Sequence, residues 1–438
     1  MAAAMGVPEE AFSAPTVASL QLWPDALHIT VLRHLGGPRH VQGFLWPYRS
    51  LCRACAAAAL VPALWREIDL RDVELAGGSI LGLLRCCSHV VERLNLRGLE
   101  GVYDATVRGL AEVLAGGPLL ELELGGCPHV SGAALLALRA LPCLESLGAE
   151  CITSLEDEHL AVLCDGCPRL ERLDVRFCEW LTDVSALLRR PGTWTSLQLD
   201  GCFRLDVGQL LAQPSGTWRR LSELSLDGED LDAQQLGRLP ALCPHLRHLT
   251  ISFARELEPW VLAALASLSR LEGLVLKKAS KPADVDWAAF FSAQREARRK
   301  DATGAEWTLL TVAECELFSD RAAAALAATL LPALLEIDLS WCWHLSDIGL
   351  SNLLAAAPQL RRVRLAGMKG LTAMGLAPCC HLAELQELDC TSCNSVSDGV
   401  LEFLHRLFTS PPGSGGDSLP GSQLLPPHVE RVAEGLWR

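Results

Sequence analysis

Along most of the chain, apolar residues recur at fixed distances from a starting apolar residue, at offsets +3, +5, +8 and often +11. The plainest copies begin at Leu170 (Leu173, Val175, Cys178, Leu181), Trp194 (Leu197, Leu199, Cys202, Leu205), Trp307 (Leu310, Val312, Cys315, Phe318), Leu334 (Ile337, Leu339, Cys342, Leu345) and Leu385 (Leu388, Cys390, Cys393, Val396). Further copies begin at Val91, Leu119, Leu144, Leu221, Leu246, Leu271 and Leu360, and a half-copy at Trp65 (Ile68, Leu70, Val73) leads them. Successive starts lie 24 to 28 residues apart, except for one interval of 36 after Leu271. Side chains alternate along a strand, so offsets +3 and +5 share one face and each copy predicts a short, half-buried strand. Offsets +2, +4 and +6 then project from the opposite face. Ser/Thr-Asp pairs at +12 and +13, as in Thr182-Asp183, Ser346-Asp347 and Ser397-Asp398, are placed to cap a helix, and phrases such as Gly166-Cys167-Pro168 mark where it ends.

The +8 position is where the chain leaves the strand. Cys fills it in six of twelve copies (Cys127, Cys178, Cys202, Cys315, Cys342, Cys393), although its abundance predicts fewer than one. A small apolar group with a weak donor suits a buried turn. A period of 24 to 28 residues built on Leu-x-x-Leu-x-Leu-x-x-Cys resembles the leucine-rich repeat of the cysteine-containing class. The resemblance spans residues 65–408 and implies an α/β solenoid of about twelve repeats, a horseshoe with a parallel sheet on its concave face. The long interval is expected to hold an insertion at 277–306, where Trp287-Ala-Ala-Phe290-Phe291 precedes Arg295, Arg298, Arg299 and Lys300. Its amphipathic pattern suggests a segment folded onto the solenoid's edge or a protrusion that binds a partner. Residues 409–438 read as a Pro/Gly/Ser-rich tail ending in a short helix, and residues 1–19 as a flexible lead.

Residues 20–66 do not follow the repeat. They contain Leu22-Trp23-Pro24-Asp25-Ala26-Leu27, Val31-Leu32-Arg33-His34-Leu35, a Gly36-Gly37-Pro38 break, Leu51-Cys52-Arg53 and Pro62-Ala63-Leu64-Trp65. Pro24 suits a first helical turn, and Leu27, Val31, Leu32 and Leu35 share one helical face, so three short helices are expected. The segment resembles the F-box, whose helices dock onto a Skp-type adaptor and through it onto a cullin-RING ubiquitin ligase. The resemblance implies adaptor-facing roles for Pro24, Leu27, Leu32, Leu35 and Leu51, with Trp65 joining the box to the first strand. It further implies a non-catalytic, substrate-recognition subunit of an SCF-type ligase. The same segment would also serve as a plain N-terminal cap, which leaves open an interaction scaffold or inhibitor outside the ubiquitin system.

The predicted strand face that looks away from the core carries mixed charge, with Arg93, Arg97, Glu121, Glu123, Arg172, Asp174 and Arg176 early and Asp200, Glu223 and Asp227 in the middle. Such a surface orients a partner of complementary charge. Phe177, Trp180, Phe203, Phe253, Trp341 and Trp343 fall at +7, +9 and +10, along a rim just past the strands, where aromatic residues act as contact hot spots. The substrate-binding candidates are therefore Arg172, Arg176, Phe177, Trp180, Phe203, Trp341 and Trp343. A sharper possibility is that Arg172 and Arg176 grip an anionic cofactor or a phosphorylated peptide.

Composition narrows the remaining classes. The net charge of −14 and pI near 5.4 argue against a nucleic-acid binder held by phosphate contacts. The longest apolar run, around Ala322 to Leu335, is broken by Thr329 and Pro332 and is too short to span a bilayer. Met1 to Leu20 carries Glu9 and Glu10 and no basic cluster ahead of an apolar core, so no secretory signal is expected. With 18 cysteines, a reducing cytoplasmic location, extending to the nucleus, is the expectation. Cys-x-x-Cys pairs occur at 52/55, 164/167 and 390/393, but no pair of histidines separated by three to five residues follows any of them, and Cys390 and Cys393 sit at core offsets; neither a metal nor a cofactor is called for. The twelve histidines form no catalytic motif.

Overall fold

A computed structural model describes residues 65–71, 75–301, 305–329, 331–396, 431–433 and 436–437. The F-box-like segment with Pro24, Leu27, Leu32, Leu35 and Leu51, the lead at 1–19 and the tail at 409–430 lie outside the described residues. The rest forms two compact units, one ending at Trp180 and the other beginning at Leu181.

The first unit holds β1 (Glu67–Asp69), β2 (Arg93–Asn95), β3 (Glu121–Glu123), β4 (Ser146–Gly148) and β5 (Arg172–Asp174), all parallel and paired in sequence order. Register follows the repeat: Ile68 pairs with Leu94, Leu94 with Leu122, Leu122 with Leu147 and Leu147 with Leu173, each a +3 residue facing its counterpart. These five side chains are buried while their neighbours on either side are mostly part-exposed, as alternation requires. Helices at Gly77–Cys87, Asp104–Val113, Gly132–Leu135 and Asp157–Gly166 connect the strands. Trp65, ahead of β1, is buried.

The second unit continues with β6 (Ser196–Gln198), β7 (Glu223–Asp227), β8 (His248–Ser252), β9 (Gly273–Lys277), β10 (Leu309–Ala313), β11 (Glu336–Asp338), β12 (Arg362–Arg364) and β13 (Glu387–Asp389), again parallel and in sequence order. The long interval does not disturb the register, since Leu274 pairs directly with Leu310. The expected edge insertion is instead this repeat's own helix, lengthened to Asp284–Lys300. It packs against the helices Pro259–Leu265 and Asp320–Ala327. Trp287, Phe290 and Phe291 are fully buried, with Phe318 edge-on to Trp287 at 5.7 Å. Three large rings on one face turn it inward, so the segment neither protrudes nor lies on an edge. Arg298 is consumed structurally, stacked over Trp307 at 4.2 Å and donating to the Ala305 carbonyl at 2.9 Å, and burial lowers its pKa to about 10.

Where a terminal helix was expected, the chain forms β14 (Arg431–Ala433) and β15 (Leu436–Trp437). β15 pairs antiparallel with β13, Trp437 opposite Leu388 and Leu436 opposite Asp389. The physical reason is the open edge of β13: its unpaired backbone groups are satisfied by a strand and not by a helix.

Two ladders join successive repeats. The +8 cysteines are buried, and five of their thiols donate to the +5 carbonyl of the preceding repeat: Cys127 to Leu96 at 3.1 Å, Cys178 to Ala149 at 3.3 Å, Cys315 to Leu276 at 3.8 Å, Cys342 to Val312 at 2.9 Å and Cys393 to Leu365 at 3.0 Å. Burial pushes the Cys315 thiol up to about 12 and the Cys342 thiol well above its ordinary value, so these groups are kept protonated as donors. The second ladder uses the cap residues. Asp104 accepts from Ser131, Asp320 from Ser346 and Asp347 from Thr372, in each case from both backbone N–H and hydroxyl. The +13 Asp of one repeat thus fastens the +12 Ser/Thr cap of the next. Ser346 and Thr372 still cap their own helices, accepting from Ile348 and Met374 N–H at 3.2 Å.

Candidate functional site

At +7 the backbone turns through the left-handed region in copy after copy. Gly98, Gly126, Gly201 and Gly367 take this position with φ between 67° and 77°. Cys151, Phe177, Phe253, Lys278, Glu314, Trp341 and Ser392 take it with φ between 55° and 64°. The turn is held because the +7 N–H continues the ladder one step past the strand, as in Cys151 to the Arg176 carbonyl, Trp341 to Ala366 and Gly367 to Thr391, each at 2.8 Å. A side chain with a Cβ costs about 1–2 kcal/mol here, so glycine is the easy occupant. Phe177 and Trp341 nevertheless carry large rings at the strained position, and these residues are 43% and 42% exposed. Cys151, Lys278, Glu314 and Ser392 take the same turn, so the position accepts many side chains and sets these two aromatic residues at the surface.

In the first unit, side chains on the open sheet face are knitted into ion pairs. Arg172 in β5 reaches across β4 to Glu121 in β3 at 2.6 Å, which also pairs with Arg93 at 3.3 Å. Arg176 pairs with Asp174 at 2.7 Å and with Glu150 at 3.2 Å, and Glu150 also pairs with Arg97. Small residues permit these crossings. Ser146 stands between Glu121 and Arg172 in the register, a Cβ on Gly125 would meet the Glu150 Cβ at 3.1 Å, and a Cβ on Gly148 would meet the neighbouring Glu123 carboxylate at 1.7 Å. Glu123 has no ion-pair partner among the described residues, and burial, reinforced by Asp174, raises its pKa from 4.5 to about 7. The two candidate arginines therefore already hold carboxylates, so an anion could grip them only by displacing those pairs. Phe177 and Trp180 stand exposed next to this network.

The second unit gathers Trp341 and Trp343 into a cleft of about 350 Å³, completed by Arg255, Lys278, Ser280, Glu314 and Glu316. All seven occupy +7 or +9. Most of the charge is already neutralised within the wall. Lys278 lies over the Phe253 ring at 4.2 Å and pairs with Glu314 at 3.8 Å, while Arg255 lies 5.9 Å over the same ring and pairs with Glu229 at 3.4 Å. Lys369 sits 3.5 Å over Trp343, and the Trp341 ring lies across Gly367, where a Cβ would meet it at 2.4 Å. Phe203, also exposed, meets Phe253 edge-on at 6.2 Å.

In the second unit Trp341 and Trp343 share the cleft while Phe203 lies outside it, against Phe253; in the first unit Arg172 and Arg176 belong to the ion-pair network, and Phe177 and Trp180 follow them in the chain as exposed residues. Sequence reasoning missed Arg255, Lys278, Glu314 and Glu316; the signal for them was the recurrence of glycine at +7, which marks the turn whose neighbours line the rim. Among the described residues no cluster of His, Cys, Asp and Glu could hold a metal, and no helix is long and apolar enough to cross a membrane.

No family model matches the chain. An F-box/LRR-repeat protein of Arabidopsis thaliana is 29% identical over 130 residues, 28% of this chain and 42% of its own length; the chain thus matches less than half of that relative. A chain of the yeast Rad7 and Elc1 complex superposes with a TM-score of 0.62 at 18% identity, covering 91% of this chain and 93% of that one. LegL7 of Legionella pneumophila, a leucine-rich-repeat-containing protein, aligns with a TM-score of 0.34 at 16% identity, over 64% of this chain and 84% of its own. The fold is that of a leucine-rich-repeat protein, and in sequence the chain is similar to the F-box and leucine-rich-repeat family.

Proposed function

We propose that this chain is the substrate-recognition subunit of an SCF-type cullin-RING ubiquitin ligase. Its N-terminal segment would bind a Skp-type adaptor through Pro24, Leu27, Leu32, Leu35 and Leu51, and the repeat rim would bind a protein substrate. Its contribution is positional. Holding a target near the ligase raises effective concentration, and no group of this chain need touch the bond being formed. The chain would act in the cytoplasm or nucleus.

The observation that carries the reading is the set of exposed aromatics, Phe177 and Trp180 in the first unit and Phe203, Trp341 and Trp343 in the second, on a leucine-rich-repeat array whose sequence also holds a segment with the F-box pattern. The similarity to an F-box/LRR-repeat protein supports it. The structural neighbour's presence in a complex of Rad7 with Elc1 supports a role inside a protein assembly. The test is co-purification of adaptor and cullin with the full chain. Wild type should recover both, and Pro24→Ala combined with Leu32→Asp should lose both. Retention of the adaptor by that variant would refute the assignment of the box.

A further inference from the structure

Resting on the reading of the rim as the substrate-facing surface, we propose that the cleft of the second unit receives an arginine side chain from a basic segment of the partner. The argument is one of unmet demand. Arg255 and Lys278 are satisfied by the Phe253 ring and by Glu229 and Glu314, and Lys369 by Trp343. Glu316 is exposed and, alone among the charged side chains of the cleft wall, has no ion-pair partner among the described residues. It shares that wall with Trp341 and Trp343.

A carboxylate beside an indole face is complementary to a guanidinium, which stacks flat on the ring while its edge donates to the carboxylate. Glu314, held by Lys278 only at 3.8 Å, can share the same fork. Trp341 is pre-organised for this role, because its ring lies against Gly367 and the left-handed backbone fixes where it points. The net charge of −14 draws basic segments toward the chain before contact.

The experiment uses the full chain and a fluorescein-labelled peptide carrying two arginines separated by serine, with citrulline and glutamate versions as controls, read by fluorescence anisotropy at low and high salt. The arginine peptide should bind at least about fivefold more tightly than the citrulline peptide and lose that advantage as salt rises. Glu316→Gln keeps the shape of an exposed side chain and should weaken arginine binding about tenfold, the loss expected for one charge-assisted hydrogen bond. Trp341→Gly removes the ring while relieving the turn and should weaken it by a similar factor, and Glu316→Arg should shift preference to the glutamate peptide. Equal binding of arginine and citrulline, tighter binding of glutamate by wild type, or unchanged affinity in Glu316→Gln would overturn the proposal. Loss of arginine preference with adaptor co-purification intact condemns the cleft alone. Intact preference without any adaptor condemns the ligase assignment alone.

Discussion

Replacing Phe177 by alanine and, separately, by glycine divides the worth of the ring from the strain of the turn that carries it. Phe177 is 43% exposed, so a little over half of the residue is withdrawn from water. Full burial of a Phe side chain is worth about 1.5–3 kcal/mol, so deleting the ring should cost about 1–2 kcal/mol. Alanine keeps a Cβ at φ 58° and therefore keeps the strain. Glycine relieves about 1–2 kcal/mol of left-handed strain and returns about 0.5–1 kcal/mol through the greater freedom of its unfolded state. Phe177→Gly should thus be more stable than Phe177→Ala by about 0.5–1 kcal/mol, against the usual order in regular structure. Leu173→Ala, on the same repeat but fully buried, should cost about 2–5 kcal/mol. Urea unfolding of the full chain, followed by circular dichroism and tryptophan fluorescence, reads all three as midpoint shifts. A glycine variant no more stable than the alanine variant would mean that the turn is unstrained. An alanine variant as damaged as Leu173→Ala would mean that the ring belongs to the core, and the contact role of the rim would fall with it.

Asp347→Ala should destabilise the second unit by about 1–3 kcal/mol, because both the backbone and the hydroxyl donor of Thr372 lose their acceptor; a double-mutant cycle with Thr372→Val should show coupling of about 1 kcal/mol, and additive losses would refute the ladder. Glu123 supplies a pH test. Its folded pKa of about 7 lies above the ordinary 4.5, so between these values the native state holds a proton that the unfolded state releases. The resulting stabilisation is present at low pH and is lost as pH rises through about 7. Glu123→Gln should remove that slope and be more stable than wild type at pH 8, as read from urea midpoints at pH 5 and pH 8; an unchanged slope would place the titration elsewhere.

Much of the repeat could be read from residue order because its determinants are local. Offsets +3 and +5 must share a strand face, and Leu94, Leu122, Leu147 and Leu173 are buried as alternation demands. The +8 cysteines, conspicuous in the sequence by their recurrence, are buried. The cap pairs at +12 and +13 were visible, but their sharing across repeats was not, since nothing in Asp320 itself says that Ser346 will lie against it. The lengthened helix is hidden for a similar reason: a 36-residue interval tells how much chain there is, whereas the burial of Trp287, Phe290 and Phe291 depends on neighbours from other repeats. Of the candidate site, the aromatic positions were legible, and the charges that pair around them were not.

Residue order by itself determined that this chain stacks short parallel strands, because a period near 25 repeats the same local alternation and no copy can bury its apolar face alone. Only the tertiary structure decided which side chains are already spent. Arg172, Arg176, Lys278 and Arg255 look equally available in a linear reading, and each is neutralised by a carboxylate or ring brought from another repeat. A direct ion pair needs its charged atoms within about 4 Å, so it is a property of distances that only folding creates.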